Sequence, residues 1–412
     1  MRTPDLTAPQ TTATEVLLLV GVLLVGALFA RAMTRVWIST ALYLVVVGLV
    51  LGPSALGWFD VGMTSSTFHL LASLALATVL FSDASRTDLR GLRSVRGQPL
   101  RLLTIGLVGS IVLGTVLALP LLPALTAPLA LVLATILAPT DGALGTPVFT
   151  DPAVPADVRE VLTVESGLND GLAVPVLLLA LGWAGLSDNG ESGFVRLLVE
   201  VLGIGALVGA GVSALVALAW IGTVRRWGSS PGWSPLVPLL TAVGCYGLAE
   251  HLGGSGFIAA FVGGLVSGTL CRGRASEDLA VDESVSNLLQ GATWFTFGAM
   301  ALGPVLLEGA FEWRWLAYAV LSLTVVRLVP VTLALLGTGE RWPTVAFMGW
   351  FGPRGLASVV FLVIVLDASP PDAATTAIFG TVALTVFLSI LLHGLSARPA
   401  ARAFGSWAAR SS

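Results

Sequence analysis

An all-α polytopic membrane protein is the fold class this sequence predicts, and three observations predict it. Of 412 residues, 55% are hydrophobic and only 11% are charged, against roughly 25% charged in a soluble domain. The apolar residues gather into runs that approach the ~20 residues a bilayer-spanning helix needs. The arginines collect on one side of those runs. A soluble enzyme this apolar would be unable to cover its surface. A net charge of −3 and a pI of about 5.6 leave no electrostatic footprint for nucleic acid. Two cysteines exclude a disulfide scaffold and a cysteine-rich metal centre. All 21 basic residues are arginine, a compositional bias with no functional content.

About thirteen spans follow in order: 14–32, 36–52, 66–82, 100–120, 127–150, 157–184, 193–222, 234–252, 255–270, 285–305, 314–337, 342–366 and 373–395. Several are joined by very short polar turns, such as Arg31 to Arg35, as in a compact helical bundle. No connection is long enough for a second domain. The chain therefore divides into an N-terminal tail (1–13), a single transmembrane domain (14–395) and a short C-terminal tail (396–412). The absence of period-2 alternation argues against a β-barrel.

An odd count with the N-terminus outside places nearly all loop arginines on one face. These are Arg31, Arg35, Arg86, Arg90, Arg93, Arg96, Arg101, Arg159, Arg225, Arg226, Arg272, Arg274, Arg341, Arg398, Arg402 and Arg410. The other face receives Arg2, Arg196 and Arg314 and several acids. The positive-inside rule then expects a cytoplasmic C-terminus. The stretch before Glu15 lacks a basic n-region, so no cleaved signal peptide is expected.

Charges at bilayer depth cost roughly 2.5–3.5 kcal/mol each on insertion scales, so each is a functional hypothesis by default. Five stand out: Asp141, Glu165, Asp170, Arg327 and Arg354, with Asn169 as a polar companion. In the fifth span, LATILAPTDGALGTPVF, Pro139 breaks the helix and Gly142 and Gly145 weaken it further. Thr140 and Asp141 thus sit on unwound backbone near mid-membrane, where freed carbonyls can ligate a cation. A plain proline kink, with Asp141 capping the second half-helix, is compatible with the same pattern.

In the sixth span, Asp170 lies 11 residues beyond Arg159, roughly 16 Å along the axis and so near mid-membrane. Glu165 and Asn169 are spaced i,i+4, as are Ser166 and Asp170, which turns two acids, a hydroxyl and an amide toward one side. Arg327 of the eleventh span supplies a cation, and its guanidinium fork matches a carboxylate. It is expected to pair with Glu165 and leave Asp170 free to exchange its ligand. The twelfth span, FMGWFGPRGLASVVF, is a second interrupted helix. Its Arg354 serves either to fix a half-helix C-terminus or to neutralise Asp141 across the bundle. One broken helix in each half fits an inverted repeat.

PTDGALGTPVF, VLTVESGLNDGLAVP, the eleventh-span arginine and WFGPRGLASVVF resemble the monovalent cation:proton antiporter family of the sodium/proton exchanger type. LFSDASRTDLRGLR, LAEHLGGSGFIAAFVGGLVSG and SILLHGLSARPAARAF extend the resemblance over nearly the whole chain. The resemblance implies a 13-helix fold with two crossed, broken helices, a homodimer, and a core domain that moves against a dimerisation domain. It implies that Asp170 binds cation and proton, and that Ser166 and Thr140 are further Na⁺ ligands. Asp141 and Asn169 would complete the site by stabilising the crossing, Glu165 and Arg327 would form a structural ion pair, and Arg354 would be the charge of the second broken helix. No cofactor is implied beyond the transported Na⁺ and H⁺, and the expected location is the plasma (inner) membrane. Two departures are Gly167, where the family commonly has a larger apolar residue, and a short tail after Arg402 with no expected regulatory domain.

A carboxylate in a low-dielectric pocket prefers a cation or a proton to standing bare. Competition at Asp170, exposed to each side in turn, suffices for obligatory exchange. Asn169 precedes it rather than a second acid, so one cation per proton is expected. Potassium/proton exchange on the same fold is the nearest alternative. An intramembrane aspartyl protease is disfavoured because Asp170 has an amide neighbour instead of a partner acid. A channel is disfavoured because the buried site is single and asymmetric.

Overall fold

The computed structural model describes residues 13–35, 38–60, 66–87, 97–186, 201–228, 230, 232–271 and 283–411. Outside them lie nearly all of the expected N-terminal tail, the start of the 193–222 span, and Arg2, Arg90, Arg93, Arg96, Arg196, Arg272 and Arg274. All described regular structure is helical. The helices are α1 (Ala13–Arg35), α2 (Thr40–Leu51), α3 (Ser66–Arg86), α4 (Gln98–Leu121), α5 (Ala127–Ile136), α6 (Gly142–Phe149), α7 (Ala156–Trp183) and α8 (Gly203–Trp227). Then follow α9 (Leu236–His251), α10 (Gly256–Cys271), α11 (Glu283–Phe297, prolonged by a π turn), α12 (Trp313–Leu335), α13 (Trp342–Trp350), α14 (Leu356–Ala368) and α15 (Ala373–Ser411).

Among the described residues these fifteen helices make thirteen segments across the bundle, because α5 and α6 are the halves of one span and α13 and α14 the halves of another. These are the fifth and the twelfth spans. An odd separation makes them cross the bundle in opposite directions, as an inverted repeat requires. Seven helices are long and apolar enough to span by themselves, and the described chain is a multi-pass membrane protein.

Why the breaks fall where they do is local chemistry. Pro139 and the Gly-Pro-Arg-Gly run 352–355 interrupt otherwise continuous apolar segments. Helix α14 is buried along most of its length, and α3 packs between α10 and α11 beside it. Other helices approach through glycine. A Cβ at Gly48 or Gly298 would run into the backbone of the facing helix, so α2 and α11 lie in main-chain contact.

The C-terminal segment departs from the expected tail. Residues 396–411 continue α15 as helix, and Ala397, Ala401 and Phe404 are buried. Phe404 stacks on Phe347 of α13, with ring centroids 4.1 Å apart. No span is expected there because Arg398, Arg402 and Arg410 interrupt the apolar run, yet a helix needs only one apolar stripe to dock.

Gly298→Leu is expected to wedge α11 off α2 and lower stability by about 1–3 kcal/mol or more, as overpacking does. A downward shift in thermal unfolding of the detergent-solubilised protein reads this, and an unchanged melting point contradicts the close approach.

Candidate functional site: the crossing of two broken helices

Asp141 stands at the N-terminus of α6, where four backbone N–H groups have no helical partner. Its Oδ1 accepts the Leu144 N–H at 2.9 Å. Its Oδ2 accepts the N–H of Leu356, the first residue of α14, at 2.7 Å. One carboxylate therefore caps two half-helices that belong to different spans, at the positive end of both macrodipoles. The Asp141 N–H also donates to the Pro353 carbonyl at 2.7 Å. A Cβ on Gly355 would occupy the space of this carboxylate, so glycine is required by approach.

Arg354 closes the other ends. Its Nη1 donates to the carbonyls of Ala138 (2.7 Å) and Pro139 (3.1 Å), which follow α5. It is wholly buried. Of its two expected roles the structure shows the first, fixing a half-helix C-terminus, and the half-helix is that of the partner span. Asp141 is satisfied by backbone N–H groups instead.

Below the crossing runs α7. Ser166 donates to the Thr140 carbonyl at 2.7 Å, and the Asn169 amide donates to Thr140 Oγ1. Thr140, Asp141, Ser166, Asn169 and Asp170 are thus drawn together by the break in the fifth span, and all are buried. Asp170 Oδ1 and Asn169 Oδ1 are buried with no hydrogen-bond partner among the described residues. Asp170 feels Asp141 and Asp83 as like charges and Arg354 as an opposite one. Ser166, having spent its hydrogen on Thr140, keeps oxygen lone pairs free. Hard monovalent cations take oxygen ligands of this kind.

Glu165 is on the same helix but is already engaged. Arg327 meets it with two parallel contacts, Nη1 to Oε1 and Nη2 to Oε2 at 2.9 Å. Both groups are buried, and Nη2 also lies 3.4 Å from the Met348 carbonyl. Gly352 is small because the Arg327 side chain fills the place of its missing Cβ.

Asp83 is the residue that sequence reasoning missed. The expected third span ended at 82, one residue short of it, whereas α3 runs to Arg86. A Cβ on Gly142 would lie 3.7 Å from Asp83 Oδ2 and 3.3 Å from Ser166 Oγ. A Cβ on Gly167 would lie 3.6 Å from Asp83 Cβ and 3.2 Å from Thr87 Oγ1. Asp83 is therefore a third acid beside the crossing, and Gly167 lies against it. The available signal was an acid at the end of the apolar run LATVLFSD.

The family model for the transmembrane sodium/hydrogen exchanger matches residues 19–403. The chain belongs to the sodium/hydrogen exchanger family. It is 28% identical to the K⁺/H⁺ antiporter NhaP2 of Shewanella sp. (strain MR-4), over 93% of this chain and 66% of that one. It is 26% identical to the Na⁺/H⁺ antiporter ApNhaP of Aphanothece halophytica, over 87% of this chain and 68% of that one. The chain thus spans about two thirds of the length of these relatives. The structure of the sodium proton antiporter MjNhaP1 from Methanocaldococcus jannaschii superposes with a TM-score of 0.75 at 24% identity, covering 95% of this chain and 99% of that one. The shared fold is that of an antiporter.

Glu165→Gln leaves a buried guanidinium without its counter-charge, and a loss of about 3–5 kcal/mol is expected. The double variant Glu165→Gln with Arg327→Met removes both charges and should unfold at a higher temperature than the single variant. A double variant less stable than the single one contradicts the pairing.

Proposed function

We propose that this chain is a secondary active antiporter that exchanges a monovalent cation for a proton, with Asp170 as the shared binding carboxylate. The observation that carries the reading is Asp170 Oδ1, buried at the helix crossing with no donor, while Asp141 accepts from two backbone N–H groups and Glu165 is forked by Arg327. A lone carboxylate in that setting is stabilised by a proton or by a cation. Ser166 Oγ, the Thr140 oxygens and Asn169 Oδ1, tied to one another at the break, would complete an oxygen shell around the ion as substrate, with Asp141 setting their backbone. The two ligands exclude one another because they use the same lone pairs.

Na⁺, or Li⁺, is the cation we assign first. The family model's description and the name of ApNhaP support it. K⁺ is the second reading, supported by the printed names of the NhaP and NhaP2 relatives. One carboxylate is assigned to the cycle: Asn169 is an amide, the Asp141 carboxylate accepts from two backbone N–H groups, Glu165 is held by Arg327, and Asp83 has Arg86 as a neighbouring opposite charge. The exchange is therefore electroneutral at one cation per proton. Alternating access would carry the crossing between the two membrane faces as a core domain moves against a dimerisation domain of a homodimer. We place the protein in the plasma membrane with its N-terminus outside and its arginine-rich face in the cytoplasm.

Proton-loaded liposomes containing the protein, challenged with Na⁺, Li⁺ and K⁺ in turn, should release protons for at least one of them. Asp170→Asn should abolish that release, and retained activity sinks the assignment. Clamping the membrane potential at different values should leave the rate unchanged. A steady current that scales with transport refutes electroneutrality. The rate should fall as the pH drops and protons occupy Asp170, whereas a rate rising steadily into acid contradicts competition.

A further inference from the structure

The break in the twelfth span leaves backbone groups that no helix satisfies. The Trp350 carbonyl ends α13, and the Arg354 N–H hangs in the unwound run 351–355. Buried groups of this kind need partners. The Gly352 N–H reaches the Trp350 carbonyl at 2.9 Å from within the run, and helix α15 brings a further partner to each group from one face. The Arg354 N–H donates to Ser389 Oγ at 2.6 Å. His393 Nε2 lies 2.9 Å from the Trp350 carbonyl oxygen. Ser389 and His393 are spaced i,i+4, with Ser389 Oγ and His393 Nδ1 3.3 Å apart. Both side chains are fully buried. The same face holds Trp350 a second time, through its indole N–H to Ser396 Oγ at 3.0 Å.

Each ring nitrogen of His393 faces a carbonyl oxygen, Nε2 that of Trp350 and Nδ1 that of Ser389, both at 2.9 Å. A carbonyl oxygen only accepts, so the tautomer decides which of the two is bonded. With the hydrogen on Nε2, the ring donates to Trp350 and Nδ1 offers a lone pair to the Ser389 hydroxyl, whose oxygen accepts from Arg354. In that tautomer one chain runs from Arg354 N–H to Ser389, to His393, to the Trp350 carbonyl, and joins the two ends of the unwound run.

We propose that Ser389 and His393 are positioning residues of the exchange site, a clasp on the last span that sets where the second broken helix meets the first. Arg354 carries the effect through its guanidinium to the Ala138 and Pro139 carbonyls, directly before Thr140. Leu356 carries it through its N–H to Asp141. Neither α15 residue touches the transported ion. The role in exchange rests on the antiporter reading above, while the clasp itself does not.

Two measurements on the full chain in lipid separate the two. The first is amide hydrogen–deuterium exchange across residues 351–356. The second is the apparent KM for the transported cation against the maximal rate in proteoliposomes. His393→Leu and Ser389→Ala should both raise exchange across 351–356. They should also raise the cation KM about tenfold or more, the usual effect of losing an outer-shell partner, with a smaller change in maximal rate. His393→Gln keeps a donor for Trp350 and an acceptor for Ser389, and should retain both the protection and the KM. Unchanged protection in the Leu and Ala variants overturns the clasp. So does a Gln variant as impaired as the Leu variant, because that marks packing instead of hydrogen bonding. If His393→Leu does not fold, the Ser389→Ala and Gln comparisons carry the test. A wild-type protein that moves no cation, with protection still following the variants, defeats the antiporter reading and leaves the clasp standing.

Discussion

The whole site depends on one carboxylate capping two helices. Unwound backbone at bilayer depth exposes N–H and C=O groups to a medium that offers no hydrogen bonds, at several kcal/mol per unsatisfied group. Asp141 removes that penalty for α6 and α14 together, and Arg354 does the same for the carbonyls beyond α5. Each charge sits at the helix end whose dipole favours it. The crossing is thus self-neutralising, and it holds two chain segments 215 residues apart in register. Charged hydrogen bonds contribute roughly 1.5–3 kcal/mol each in proteins, so a handful here can support a break that no single helix would keep.

With those demands met, the division of labour among the acids follows. Glu165 and Arg327 form a closed fork that fixes α7 to α12. Asp141 is consumed by backbone donors. Asp170, on the same helix as Glu165, has a buried oxygen that nothing described satisfies. The oxygens of Asp141 and Glu165 are engaged and Oδ1 of Asp170 is not, and the proposed carrier role rests on that contrast. Asp83 adds negative potential beside it, which favours occupancy of the crossing by a cation or a proton over an empty site.

Much of this was legible in the sequence because the rules of the bilayer are strict. Apolar runs marked the helical segments of the described residues, and Pro139 and the Gly-Pro-Arg-Gly run marked both breaks, since proline and glycine act locally. The pairing of Glu165 with Arg327 was legible because two buried opposite charges rarely stand apart. What Arg354 bonds was not legible. Its partners are main-chain carbonyls, and every residue has one. Asp83 was missed because an acid at a helix end is ordinarily an interface residue. Only the three-dimensional approach of Gly142 and Gly167 brings it inward. The helical continuation past residue 396 was hidden by its arginines, although the buried stripe of Ala397, Ala401 and Phe404 has helical spacing.

The account stands on mutual exclusion of cation and proton at Asp170, and equilibrium binding tests that without any transport cycle. Titrating the purified protein with the transported cation, in buffers of different ionisation enthalpy near the pH of half-protonation, counts the protons displaced per ion bound. The account predicts displacement that approaches one proton per cation on the acid side and vanishes in Asp170→Asn. Cation binding that releases no proton at any pH, or that persists undiminished in Asp170→Asn, would contradict it.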